Sequence, residues 1–166
     1  AISIRIRLDK DDSGLFGPGR IIQENADEPI IEVEHASGVQ LRDLTLTRAK
    51  QAEETRFEAV LAADTRELVL DNLRILNNRT RSAAIVIRES QGARISHCTV
   101  QNYMRITVDD RTADLNWGYA FNCTDGTGIG VNACTGTLIE SNRIIESTYK
   151  PTEEIKSKYK LGDWVK

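Results

Sequence analysis

Four stretches of this chain align without internal gaps, and that self-similarity restricts its fold more than any other feature. They are IIEVEHASGVQLRDLTL (30–46), AVLAADTRELVLDNLRI (59–75), AIVIRESQGARISHCTV (84–100) and GIGVNACTGTLIESNRI (128–144), at steps of 29, 25 and 44 residues. The same columns are apolar or small in each unit. Ile31, Val60, Ile85 and Ile129 share one column, and Val33, Ala62, Ile87 and Val131 another. A turn column holds Gly38, Glu67, Gly92 and Gly136, and a second strand carries Leu41, Leu70, Ile95 and Ile139. After a two-residue step come Leu44, Leu73, Cys98 and Asn142, then Leu46, Ile75, Val100 and Ile144. The period-2 alternation survives on both sides of a corner that shifts its phase by one residue.

One such unit cannot bury its apolar row alone. Stacked units can, because each strand pairs in register with the one above at about 4.8 Å. Each buried aliphatic then contributes roughly 1.5–3 kcal/mol. A leucine-rich repeat would be shorter and richer in leucine, and a propeller blade would show four strands per period. Amphipathic helices need apolar spacings of three and four, which the columns lack. The pattern therefore predicts an all-β, single-stranded parallel β-helix of about four to five coils over residues 1–150, with an insertion at about 103–125. Asn142, in an inward column, must find hydrogen bonds along the stacked backbone.

The flanks are less regular. Ile2, Ile4, Ile6 and Leu8 alternate as a strand from the first residues, with no initiator Met ahead of them. That reads as a piece of a longer helix, whose further coils would be this chain's nearest partners. Residues 11–23 (DDSGLFGPGRIIQ) read as a Gly/Pro turn and a strand, an earlier irregular coil. Residues 151–166 form a polar tail or cap, with a helix-start character at Thr152, Glu153 and Glu154.

Composition removes several function classes. The 22 basic and 25 acidic residues are interspersed, with a net charge of −3, so no basic stripe points to nucleic acid. No apolar run is long enough to span a membrane. Cys98, Cys123 and Cys134 are too few for a metal cluster or a disulfide framework, although one bridge between Cys123 and Cys134 stays open. Cys98 reads as a small core residue and His97 as a hydrogen-bonding corner residue. Asn78-Arg79-Thr80 and Asn122-Cys123-Thr124 fit the glycosylation sequon, a pattern common by chance.

The units GVQLRDLTL, ELVLDNLRI, GARISHCTV and GTLIESNRI resemble the coils of the right-handed, pectate-lyase-like parallel β-helix superfamily, over about residues 15–147. The resemblance identifies a fold rather than an activity. It implies a bias toward polysaccharide partners, with lyases, hydrolases, epimerases, tailspikes and adhesins among the members. It also implies an extracellular, cell-surface or periplasmic setting. Lyases of the superfamily use a calcium ion and a basic residue that removes the proton alpha to a uronate carboxylate.

Three groups of residues are candidates for chemistry. The 44-residue step exceeds the others by 15 to 19 residues, placed between Tyr103 and Asp125, and long excursions from a solenoid often carry function. This one holds Arg105, Asp109, Asp110, Arg111, Asp114, Trp117, Tyr119 and Phe121. Aromatic planes pack against sugar rings while guanidinium and carboxylate groups bind hydroxyls or uronic acids. Trp117, Tyr119, Arg105 and Arg111 therefore read as substrate-binding, or else the aromatics staple the insertion to the barrel. Paired carboxylates perform glycoside hydrolysis, so Asp109 and Asp110 are candidate catalytic residues, although neighbours on a strand point to opposite faces.

NCTDGTGI (122–129) is similar to the N-T-D-G-x-D segment of polygalacturonase-type hydrolases, which makes Asp125 a further catalytic candidate. The match is loose. Cys123 intervenes, Gly128 is the residue nearest to where the second aspartate would stand, and the later Asp-Asp and Gly-His-Gly motifs are missing. The other reading is a turn built on Asp125-Gly126.

Stacking supplies the last group. His35, Asp64 and Glu89 fall in one column just after the first strand, a donor set for a divalent cation such as Ca2+ or an ordinary polar turn stack. Arg88 lies beside it as a candidate catalytic base, and Arg74 and Arg143 share an outward column with Thr45 and Thr99 as candidate substrate contacts. Two readings follow: a polysaccharide lyase or glycoside hydrolase with substrate across an outward face, or a non-catalytic structural, adhesive or sugar-binding module.

Overall fold

The computed structural model of the chain describes residues 1–108 and 122–147. These wind as a parallel β-solenoid of about four turns. The first sheet stacks β1 (Ile6–Leu8), β3 (Ile31–Glu34), β6 (Val60–Ala63), β10 (Ala83–Arg88) and β15 (Thr127–Asn132), in that spatial order. The second sheet is made by β2 (Gly14–Gln23), β4 (Gln40–Arg48), β7 (Val69–Asp71), β8 (Arg74–Leu76), β11 (Arg94–Ser96), β12 (Thr99–Gln101), β16 (Leu138–Glu140) and β17 (Arg143–Ile145). Every pairing in both sheets is parallel, as single strands per coil require.

The register follows the sequence columns. Ile31 pairs with Val60, Val60 with Ile85 and Ile85 with Ile129. Leu41, Leu70, Ile95 and Ile139 stack in turn, and so do Leu46, Ile75, Val100 and Ile144. The inward residues form one continuous core, with Leu41, Leu70, Ile75, Ile85 and Ile95 fully buried. Asn142 is satisfied as its column demands: its Oδ1 accepts from Cys98 N at 2.8 Å and its Nδ2 donates to the Ile95 carbonyl at 2.8 Å.

Left-handed backbone makes the corners. Asp43, Asn72, His97 and Ser141 take φ of 57, 51, 55 and 56°, so the strand bends and the alternation resumes one residue out of phase. A tighter turn joins the two sheets, with Gly38, Glu67, Gly92 and Gly136 at φ of 68, 52, 67 and 64°. Glycine adopts this region without steric cost, while Glu67 adopts it against the preference of a side chain.

Differences from the sequence reading have local causes. Ile4 is 73 % exposed and lies outside any strand, because β1 begins only at Ile6, where a neighbouring strand is available to pair. Residues 14–23 do form an irregular coil: the register of β2 on β4 slips between Phe16 and Gly19, beside a cis Gly17–Pro18 bond. The base of the insertion is an antiparallel hairpin stem, β13 (Arg105–Val108) on β14 (Asn122–Asp125), whereas the other strand pairings among the described residues are parallel. Asn78 is fully buried, with Oδ1 accepting from Arg48 Nε and Nδ2 donating to the Phe57 carbonyl, so its sequon is closed to glycosylation. Cys134 carries a free thiol rather than a bridge to Cys123.

The side opposite the tight turn is made of loops, and one buried arginine ties them together. Arg48 donates to Asn78 Oδ1 and to the carbonyls of Asn25, Glu28 and Glu58. Burial pushes its guanidinium down to about 10. Next to it, β5 (Glu54–Thr55) pairs with β9 (Arg79–Thr80). Arg79 donates to Met104 O and Glu146, and Glu146 also accepts from Met104 N, which fixes the foot of the hairpin stem.

Candidate functional site

Two residues past each corner, the chain presents an outward side chain, and the register aligns these into a ladder along the solenoid. Arg20 pairs with Thr45, Thr45 with Arg74, Arg74 with Thr99 and Thr99 with Arg143. The next outward column reads Ile22, Thr47, Leu76, Gln101 and Ile145. The two columns alternate together. Coils bearing an arginine bear an aliphatic residue beside it, and the coils between bear Thr45 with Thr47 or Thr99 with Gln101. With coils about 4.8 Å apart, the arginines recur about every 10 Å.

Arg20, Arg74 and Arg143 are exposed. Among the described residues none of them has an ion pair, because the acids of this sheet are engaged elsewhere. Asp71 Oδ2 meets Arg42 Nη1 at 2.8 Å, while Asp71 Oδ1 accepts from Ser96 Oγ at 2.8 Å and faces His97 Nδ1 at 2.9 Å. The His97 hydrogen bond, then that of Ser96, hold the Asp71 carboxyl below its ordinary value, with a further contribution from Arg42. Glu140 is paired with Arg94 at 2.6 Å, and Asp43 Oδ1 accepts from Asn72 at 2.7 Å. The result is an amphipathic, locally cationic strip on a chain of net charge −3.

Arg88, Glu89, Asp64 and His35 lie together on another face, at the tight turn. His35 Nδ1 is 2.9 Å from Asp64 Oδ2, and the column continues to Glu89 and Ala133, all four residues with left-handed backbone. A shallow recess of about 360 Å³ is lined here by Asp64, Arg66, Glu89 and Gln91. No group of three His, Cys, Asp or Glu side chains among the described residues is placed to hold a metal ion.

The sequence candidates are thus dispersed. Thr127 pairs with Ala83 and Asn132 with Arg88, so Asp125, at the end of β14 before β15 begins, lies beyond the opposite end of that pairing from Arg88. Asp125 and Arg88 do not share a site. Arg105 sits at the hairpin foot, where its Nη1 donates to the Thr55 carbonyl at 3.2 Å, a stapling contact. Asp109, Asp110, Arg111, Asp114, Trp117, Tyr119 and Phe121 lie outside the described residues. Cys98 is buried and its thiol is pushed up to about 11 by that burial, as suits a core residue and not a nucleophile.

Arg20 and the aliphatic column were the residues that sequence columns missed. The extra residue between Phe16 and Gly19 puts Arg20 out of step with a gap-free alignment, although its Arg-Ile-Ile triplet repeats at residues 143–145 and is close to Arg-Ile-Leu at 74–76. No family model, curated protein or solved structure matches this chain.

Proposed function

We propose that the protein binds an acidic polysaccharide along the outward face of the second sheet, with the polymer running parallel to the solenoid axis. The observation that carries this reading is the ladder of Arg20, Arg74 and Arg143, each exposed, free of ion pairs among the described residues and accompanied by Ile22, Leu76 or Ile145. A sugar acid presents both a carboxylate for the guanidinium and an apolar C–H face for the aliphatic side chain. A polymer repeats that pair of features at fixed intervals, as the two-coil period does. The resemblance of the coils to the pectate-lyase-like superfamily supports the same ligand class and an extracellular setting. Binding on this face uses none of the carboxylates of the insertion, so the reading favours a sugar-binding module over a hydrolase or lyase.

The test is a panel of uronate-containing, sulfated and neutral polysaccharides, with and without calcium, scored both for retention of the protein and for new reducing or unsaturated ends. Retention by acidic polymers alone is expected, falling with salt. It should drop about tenfold for each of Arg74→Ala and Arg143→Ala, the cost of one charge-assisted hydrogen bond. Equal binding of neutral polymers, or no effect of the two substitutions, removes the reading. New chain ends would replace it with an enzyme.

A further inference from the structure

The chain has two histidines, and one of them, His97, stands at the border of the cationic strip. It occupies the corner two residues before Thr99, the rung that pairs with Arg74 on one side and Arg143 on the other. Its side chain is 60 % exposed, and its Nδ1 lies 2.9 Å from Asp71 Oδ1. An ionised carboxylate can only accept, so the neutral ring carries its proton on Nδ1 and its lone pair on Nε2. Among the described residues nothing else hydrogen-bonds the ring, which leaves Nε2 without a partner.

The charges around the ring decide what a second proton does. Asp71 is matched by Arg42 at 2.8 Å, and Glu140, one coil further on, by Arg94 at 2.6 Å. Arg74 and Arg143 flank the rung past the corner and have no ion pair among the described residues. The other acid of the corner column is Asp43, two coils earlier, which accepts from Asn72. With His97 neutral, Asp71 and Glu140 are each balanced by an arginine. A proton on Nε2 therefore adds one net positive charge and one new N–H donor at the border of the strip. Asp71 offsets the repulsion from Arg74 and Arg143, because the same proton turns its bond to Nδ1 into an ion pair.

We propose that His97 is a further contact for the acidic polysaccharide, its protonated imidazole donating from Nε2 to an acid group of the polymer beside Arg74 and Arg143. Affinity then rises as pH falls through the histidine range. This rests on binding along the arginine ladder and adds to it one residue and a pH dependence.

The test is retention of the full chain by a uronate homopolymer at about pH 8 and about pH 5.5, a range over which the carboxylates stay ionised and histidine does not stay neutral. The charge-assisted hydrogen bond gained should tighten binding about tenfold at the lower pH. His97→Asn should abolish that gain and keep the pH 8 affinity, since Asn72 holds the same conformation in the same column. His35→Asn, at the tight turn, should keep the gain. Calorimetry of the unsubstituted protein near neutral pH, in two buffers of different ionisation enthalpy, should show proton uptake on binding. Affinity independent of pH, no proton uptake, a gain that survives His97→Asn or one lost in His35→Asn overturns the proposal. These outcomes leave the ladder itself standing, whereas retention at pH 8 that Arg74→Ala does not weaken removes the ladder and this contact together.

Discussion

Asp71 shows how much a single side chain can organise on a solenoid surface. Its two oxygens collect Arg42 from the coil before and Ser96 and His97 from the coil after. Because these partners hold its carboxyl low, the stabilisation they give is present above the ordinary carboxylate range and is lost as pH falls through the folded-state value. Asp71→Asn should therefore unfold at lower urea concentration than the parent at neutral pH, with the gap closing below about pH 4. Urea midpoints measured across that range check it, and a gap constant down to pH 3 would mean the carboxylate charge plays no part. Residue identity made such pairs legible only in part. His97 was readable as a corner hydrogen-bonder, but its partner lies 26 residues away on the adjacent strand, a relation visible only once the register is fixed. Asn78 makes the same point: a sequon is a local pattern, and the contact that buries this one comes from Arg48, thirty residues earlier.

At the scale of the element, the turn column offers a controlled comparison. Gly38, Glu67, Gly92 and Gly136 share one left-handed conformation, and only Glu67 adopts it with a side chain. Glu67→Gly should stabilise the fold by up to about 1 kcal/mol, the strain relieved less the added freedom of the unfolded chain. Gly92→Ala should destabilise it by about as much, since the nearest atoms to a new Cβ are 3.8 Å away and the cost is conformational rather than steric. Denaturant titrations of the two variants decide this, and shifts of the same sign would refute it. The strands were readable because the alternation recurs in all four aligned repeats and glycine holds the turn column in three of them. The hairpin stem was not, because Arg105–Val108 and Asn122–Asp125 have no counterparts in other coils and their antiparallel pairing obeys no column. The slipped strand β2 hid Arg20 in the same way.

In the whole molecule, the hairpin stem separates two problems that most folds solve together. On either side of it the coil register is set by neighbouring strands, with Gln101 on Ile145 before it and Ala83 on Thr127 after it. Val108 and Asn122 face each other across the stem, so whatever joins them need only return the chain to its starting point. Replacing residues 109–121 by Asn-Gly, the sequence suited to a tight two-residue hairpin, should leave the circular dichroism spectrum and the unfolding midpoint close to those of the parent. Acidic polysaccharide should still be retained if the arginine ladder is the binding face, whereas lost retention would move binding to the excised aromatics. Seen this way, the stem is a port in the wall of the cylinder: the scaffold specifies where a passenger sequence leaves and returns, and leaves its content open to change without renegotiating the fold.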